Sequence, residues 1–230
     1  NDDQLEATLA GSLTMIARAT NLVRLAGPLA PTLAPAATSR NPTPPSLDVH
    51  VQMESPQGSN IFVRVDDLAN LNLTDGDRVR VVVQNRSDRR LDLTGLLVES
   101  GFAINSIRLG RDGKEVSKRL PPNSQPAYFG IKINNQTFGL DQFVLIVVEA
   151  GTDPEPADFS YLKQDGPTVA SLVAKPVTRS SERFSRFRQL VESSTMDGAI
   201  SRGPGEMDEP GVIWRIPWRV LPPDSTSNTP

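Results

Sequence analysis

His50 is the chain's single imidazole, and with no cysteine in the sequence it has no thiol to activate. A Cys-His pair is therefore excluded, and so are disulfides, thiolate metal sites and cysteine nucleophiles. His50 lies between Val49 and Val51 in a strand-like run, so its ring should point opposite to both. A structural or surface role accounts for it. Other enzyme classes lose their usual entry points too: no GxSxG elbow, GxxxxGK phosphate loop, GxGxxG, HExxH or CxxC spacing is present. Arg202-Gly203-Pro204-Gly205 lacks the lysine and helix that would make a phosphate cradle.

Oxygen-rich spacing is the next place to look. Asp66, Asp67, Asp75 and Asp77 flank a turn, but without the terminal glutamate of a calcium loop. Asp75-Gly76-Asp77 is also what a tight turn before a strand needs. Arg86, Arg89 and Arg90 form one basic cluster, and Arg179, Arg183, Arg186 and Arg188 another; Asp88, Asp92, Glu182 and Glu192 offset them. Trp214 and Trp218, four apart in a strand-like run, share a face. They are the candidate binding surface, a stacking platform if exposed and a core pair if not. No catalytic, cofactor or metal residue is assigned, and no cofactor is expected.

The elements that would position these residues begin with an amphipathic helix over residues 1–27. Leu5, Leu9, Leu13, Ile16, Thr20 and Val23 recur at three- and four-residue steps, and Gly27-Pro28 stops the run. That stripe should pack on the body of this or a parent protein. Residues 28–46 are rich in Pro, Ala, Thr and Ser and read as an exposed, semi-rigid linker. Residues 47–221 form the main domain. Strands are predicted over 47–53, 61–65, 78–84, 91–99, 104–109, 127–133 and 142–149, punctuated by turn sequences such as Thr74-Asp75-Gly76-Asp77 and Arg111-Asp112-Gly113-Lys114. This spacing predicts a mainly β protein, an antiparallel β-sandwich of immunoglobulin-like or similar type, with an N-terminal helix and a C-terminal helix covering the sheet. Residues 93–98 and 143–148 are apolar at nearly every position and should be central strands covered on both faces.

A helix from Ser180 or Ser181 to about residue 191 or 194 is the candidate cover, with Phe184, Phe187, Leu190 and Val191 on one face. Residues 212–221 return as a strand that Pro217 places at a sheet edge. Residues 222–230 read as a disordered tail. The 24 basic and 27 acidic side chains create no field that would gather nucleic acid. Nor does any apolar run reach the ~20 residues that cross a bilayer, so neither partner is expected. The compartment stays open, with a cytoplasmic placement favoured. Residue 1 is Asn rather than Met, which points to a piece processed or cut from a longer protein.

The strand block also carries a resemblance. Leu71-Asn72-Leu73-Thr74-Asp75-Gly76-Asp77-Arg78-Val79, Val83-Gln84-Asn85, the apolar run over 91–99, Leu120-Pro121-Pro122-Asn123, Phe138-Gly139-Leu140-Asp141-Gln142-Phe143 and Asp158-Phe159-Ser160-Tyr161-Leu162 resemble the C-terminal region of bacterial caspase-like peptidases (clan CD, family C14). The helix segment Ile16-Ala17-Arg18-Ala19-Thr20-Asn21-Leu22-Val23-Arg24-Leu25-Ala26 looks like the one preceding the sandwich there, and Ser201-Arg202-Gly203 resembles a short downstream motif. In that family an N-terminal domain supplies the catalytic His and Cys, and this chain has no position to receive the Cys. The resemblance implies a non-catalytic accessory or regulatory module that acts by protein-protein contact with the caspase domain, its substrate or a regulator. It also makes Arg40 a candidate processing site, because such enzymes favour basic residues before the scissile bond. The alternative expectation is a stand-alone ligand- or carbohydrate-binding sandwich of an extracytoplasmic protein.

Overall fold

The computed structural model describes residues 2–29, 46–55, 60–134, 137–167, 186–196 and 211–222. Helix α1 (Asp2–Leu25) is followed by β1 (Gly27–Pro28), β2 (Leu47–Glu54), β3 (Phe62–Arg64), β4 (Asn72–Leu73), β5 (Arg78–Asn85) and β6 (Leu91–Val98). Then come β7 (Ile104–Ile107), β8 (Leu109–Arg111), β9 (Lys114–Glu115), β10 (Arg119–Leu120), β11 (Ala127–Lys132) and β12 (Gly139–Glu149). A 3₁₀ turn (Ser160–Leu162), α2 (Arg186–Met196) and β13 (Gly211–Val220) complete the order.

The strands make two sheets, as the turn spacing predicts for a sandwich. One is seven-stranded, in the order β1-β13-β12-β6-β10, with β4 also on β13 and β7 also on β6; the other is six-stranded, in the order β3-β2-β5-β11-β8-β9. Pairing is antiparallel except where β1 and β4 lie parallel to β13. The single strand expected over 104–109 is two. Ile104–Ile107 pairs with β6 in one sheet, and Leu109–Arg111 pairs with β11 in the other, so the chain changes sheets at Arg108. Asp112 (φ 50°) and Gly113 (φ 76°) then turn β8 into β9. Two consecutive positive φ values match the hairpin turn that Asp-Gly favours.

Alternation along each strand decides which side chains enter the core. Val79, Val81 and Val83 of β5, Phe129 and Ile131 of β11, Phe143, Leu145 and Val147 of β12, and Ile216, Trp218 and Val220 of β13 meet between the sheets. The intervening positions of β12, Val144, Ile146 and Val148, face a second core with Ala19, Leu22, Phe159, Phe187 and Val191. All eight residues of β6 are buried, so this strand and β12 are covered on both faces, as their unbroken apolar runs require. The cover comes from the N-terminal and C-terminal helices, as expected, with the 3₁₀ turn added to them. Of α1, the C-terminal half takes part.

Two details refine the linear reading. Pro28, the first residue of the expected linker, is part of a strand: Gly27 and Pro28 pair with Trp214 and Arg215 of β13 while staying exposed, and the Leu29 N–H donates to the Arg215 carbonyl at 3.2 Å. The remainder of that stretch, 30–45, lies outside the described residues, as does the tail from 223. Pro217, moreover, faces the outer side of β13, which among the described residues only the two-residue strands β1 and β4 extend. The N–H groups of Arg219 and Leu221 donate outward to Leu71 and Leu73, and strand parity turns position 217 the same way. Its missing donor falls in the gap between β1 and β4, so β12 loses no hydrogen bond.

Candidate functional site

His50 sits on the outer face of the six-stranded sheet, opposite Val82. Its Nδ1 is 3.9 Å from Asp48 Oδ1, too far for a hydrogen bond, and its Nε2 is 3.2 Å from Gln52 Nε2. Burial lowers the imidazole's affinity for a proton; Asp48 opposes this and Arg64 adds to it. The ring is therefore neutral at neutral pH. Among the described residues no hydroxyl hydrogen-bonds to it.

The two tryptophans do not form a platform. Trp218 is 2% exposed and lies in the core between the sheets, and Trp214 is half-buried against the same core. The physical reason is parity: even-numbered positions of β13 face the sandwich interior, and the ring surface is used in packing. The acidic positions are spent on turns. Asp67 Oδ1 accepts the N–H groups of Ala69 and Asn70, and Asp77 Oδ2 accepts the N–H of Thr74 at 2.7 Å and its hydroxyl at 3.1 Å. Arg40, Arg179, Arg183, Phe184 and Ser201-Arg202-Gly203 lie outside the described residues. Of Arg186 and Arg188 only the helical backbone in α2 is described.

Three arrangements carry no signal in linear spacing. In the first, Lys118 Nζ donates to Ser160 Oγ at 2.7 Å and to Asp158 Oδ1 at 2.6 Å, while Ser160 Oγ is 2.8 Å from Ser106 Oγ. A Ser-Lys pair is a nucleophile set only when the lysine is a free base. Here the ammonium is committed to the Asp158 carboxylate. Burial pushes that carboxyl up, but the hydrogen bonds from Lys118 and Ser160 outweigh it and hold it below the usual range. The cluster clasps the 3₁₀ turn to the sheet. In the second, the Arg80 guanidinium lies between two rings, 3.6 Å from the Phe62 centroid and 4.3 Å from that of Tyr128. This fixes β3 and β11 over β5.

The third arrangement is an open apolar surface. Helix α1 is anchored only from its middle onward. Gln164 Nε2 donates to the Met15 carbonyl at 2.8 Å, Arg18 Nη2 donates to the Tyr161 carbonyl at 3.2 Å, and Ala19, Leu22 and Ala26 are buried. Toward its start Leu5 is 68% exposed, and Leu9 and Leu13 are each 57% exposed. These leucines head the stripe that should pack on something, and nothing among the described residues covers them. Asp2, Asp3 and Glu6 share this stretch with no basic residue before Arg18. An anionic lipid surface would therefore repel it. No described helix is long and apolar enough to cross a membrane.

The geometry defines a mainly β, two-sheet sandwich with a helical layer on one face and an exposed leucine stripe. No protein-family model matches the chain, and no curated protein matches it. The chain holds no cysteine and so no catalytic cysteine.

Proposed function

We propose that this chain is a non-catalytic accessory β-sandwich of a bacterial caspase-like cysteine peptidase, acting by protein-protein contact with the caspase domain, its substrate or a regulator. The observation that carries this reading is the exposure of Leu5, Leu9 and Leu13 on a helix whose other half is locked to the body. Clustered exposed leucines mark contact surfaces. In the resemblance to caspase-like peptidases this helix is the element that precedes the sandwich, which puts the stripe on the side toward a preceding domain.

The alternative, a ligand- or carbohydrate-binding module, drew on an exposed pair at Trp214 and Trp218, and the burial of Trp218 removes that basis. Arg40 keeps its place as the proposed processing point. It falls in sequence between β1 and β2, and cleavage there leaves α1 held by the β1–β13 pairing and by Ala19, Leu22 and Ala26. The expected outcome of a direct assay is that the purified chain hydrolyses no Arg- or Lys-containing peptide. Turnover above a heat-denatured control would overturn the non-catalytic reading.

A further inference from the structure

At one end of the seven-stranded sheet a carboxyl group is buried without a cation. Asp141 on β12 is 4% exposed, and its Oδ1 accepts the Ser100 N–H at 2.8 Å. Across the strand pair stands Trp218, whose indole Nε1 is buried with no hydrogen-bond partner. On the other flank Gln142 pairs with Val98, which brings Glu99 alongside. Among the described residues Glu99 is the one charged group that acts on Asp141, and its sign is unfavourable. Among the described residues no Lys or Arg forms an ion pair with the carboxyl. The segment is tied down by the same serine: Ser100 Oγ donates to the Phe138 carbonyl at 3.0 Å. Phe138 and Leu140 beside it are 45% and 53% exposed.

We propose that Asp141 is the proton-sensitive part of a latch: neutral, it lies closed against Ser100 and Trp218; ionised, it favours an opened end of β12 in which the carboxylate reaches water. The physical cause is the cost of a buried charge beside a second carboxylate, which the Ser100 N–H and side chain offset only in part. Burial first, and Glu99 in addition, push the Asp141 carboxyl from its ordinary value near 3.8 up to about 6. The folded value lies above the open one, so the closed form holds the proton more tightly. Its advantage is complete below about pH 4 and is lost as pH rises through about 6. The open-to-closed ratio then gains a factor of about 100 before levelling off. The device is independent of the leucine stripe and of any reading of the parent protein.

The test uses the full chain with Trp214→Phe, so that emission reports Trp218. Hydrogen exchange of residues 138–143, corrected for the intrinsic pH dependence of amide exchange, and acrylamide quenching of Trp218 are followed from pH 4 to pH 8. Both should rise between about pH 4 and 6 and then level. Asp141→Asn, which keeps the acceptor for Ser100, should give flat profiles, and Glu99→Gln should move the midpoint to lower pH. A flat wild-type profile, a transition that survives in Asp141→Asn, or a midpoint unmoved by Glu99→Gln would each overturn the latch.

Discussion

Arg119→Met is expected to destabilise the fold by about 3–5 kcal/mol, a large part of the ~5–15 kcal/mol that holds a typical domain together. Arg119 Nε and Nη2 donate to the two oxygens of Asp92 at 2.7 and 2.9 Å. The same guanidinium reaches the carbonyls of Asp153, Pro154 and Glu155. Asp92 is 2% exposed and has one further donor, the Ala157 N–H at 2.8 Å. Removing the arginine strands a carboxylate in the interior, where an unpaired charge is most costly. Asp92→Asn should cost less, because the cation it leaves behind is better hydrated, at 13% side-chain exposure. Asp92→Leu combined with Arg119→Met should recover most of the loss, because a well-packed apolar pair can replace a buried ion pair. Urea titration of the three variants measures the order. Equal losses for the two single variants would show that the stranded Asp92 carboxylate carries no extra cost.

Gly95→Ala should lower stability by about 2–3 kcal/mol, or about 4–12 °C in the thermal midpoint, and Gly95→Val should prevent folding. Gly95 lies in the middle of β6, where a Cβ would sit 2.6 Å from Phe129 Cδ1 and 2.9 Å from Phe143 Cζ. Those two rings, 5.3 Å apart and both fully buried, occupy the centre of the core between the sheets. A close-packed interior has no slack to move them. Phe129→Leu should partly rescue Gly95→Ala by returning volume at the point of contact. A Gly95→Ala midpoint equal to wild type in a calorimetric scan would show that the rings shift freely.

What was readable in the sequence follows from how local each signal is. The long strands β2, β5, β6, β11, β12 and β13 were each expected within a few residues of their observed bounds, because apolar alternation or continuous apolar runs are local. The two-residue strands β1, β4, β9 and β10 were not expected, since long-range register selects them and two residues show no period. The line of α1 that packs on this body was not read from the sequence, for a geometric reason. At about 100° per residue, the stripe through Leu5, Leu9 and Leu13 lies roughly a quarter turn away from the line through Met15, Ala19, Leu22 and Ala26. The latter line is the one that packs. Small alanines carry little weight in a pattern read for large apolar side chains. Among the site candidates, the tryptophan pair was correctly placed on one face, but which side of the sheet that face took depended on the pairing of β13. Lys118 with Ser160 and Asp92 with Arg119 are joined across 42 and 27 positions of chain, a separation at which spacing holds no information.

The interaction role proposed for this chain rests on α1, and its most direct measurement is calorimetric titration of the purified chain into a separately expressed bacterial caspase-like catalytic domain, the partner that the proposal names. Saturable binding is predicted, accompanied by a changed rate of Arg- or Lys-peptide hydrolysis by that domain. Burying one leucine contributes about 1.5–3 kcal/mol, so Leu9→Asp should weaken binding by at least about tenfold. The triple variant Leu5→Asp, Leu9→Asp, Leu13→Asp should abolish it while leaving the thermal midpoint of the sandwich in place. Binding that the triple variant leaves intact, or no binding by the wild-type chain, would contradict an accessory module that works through its exposed helix.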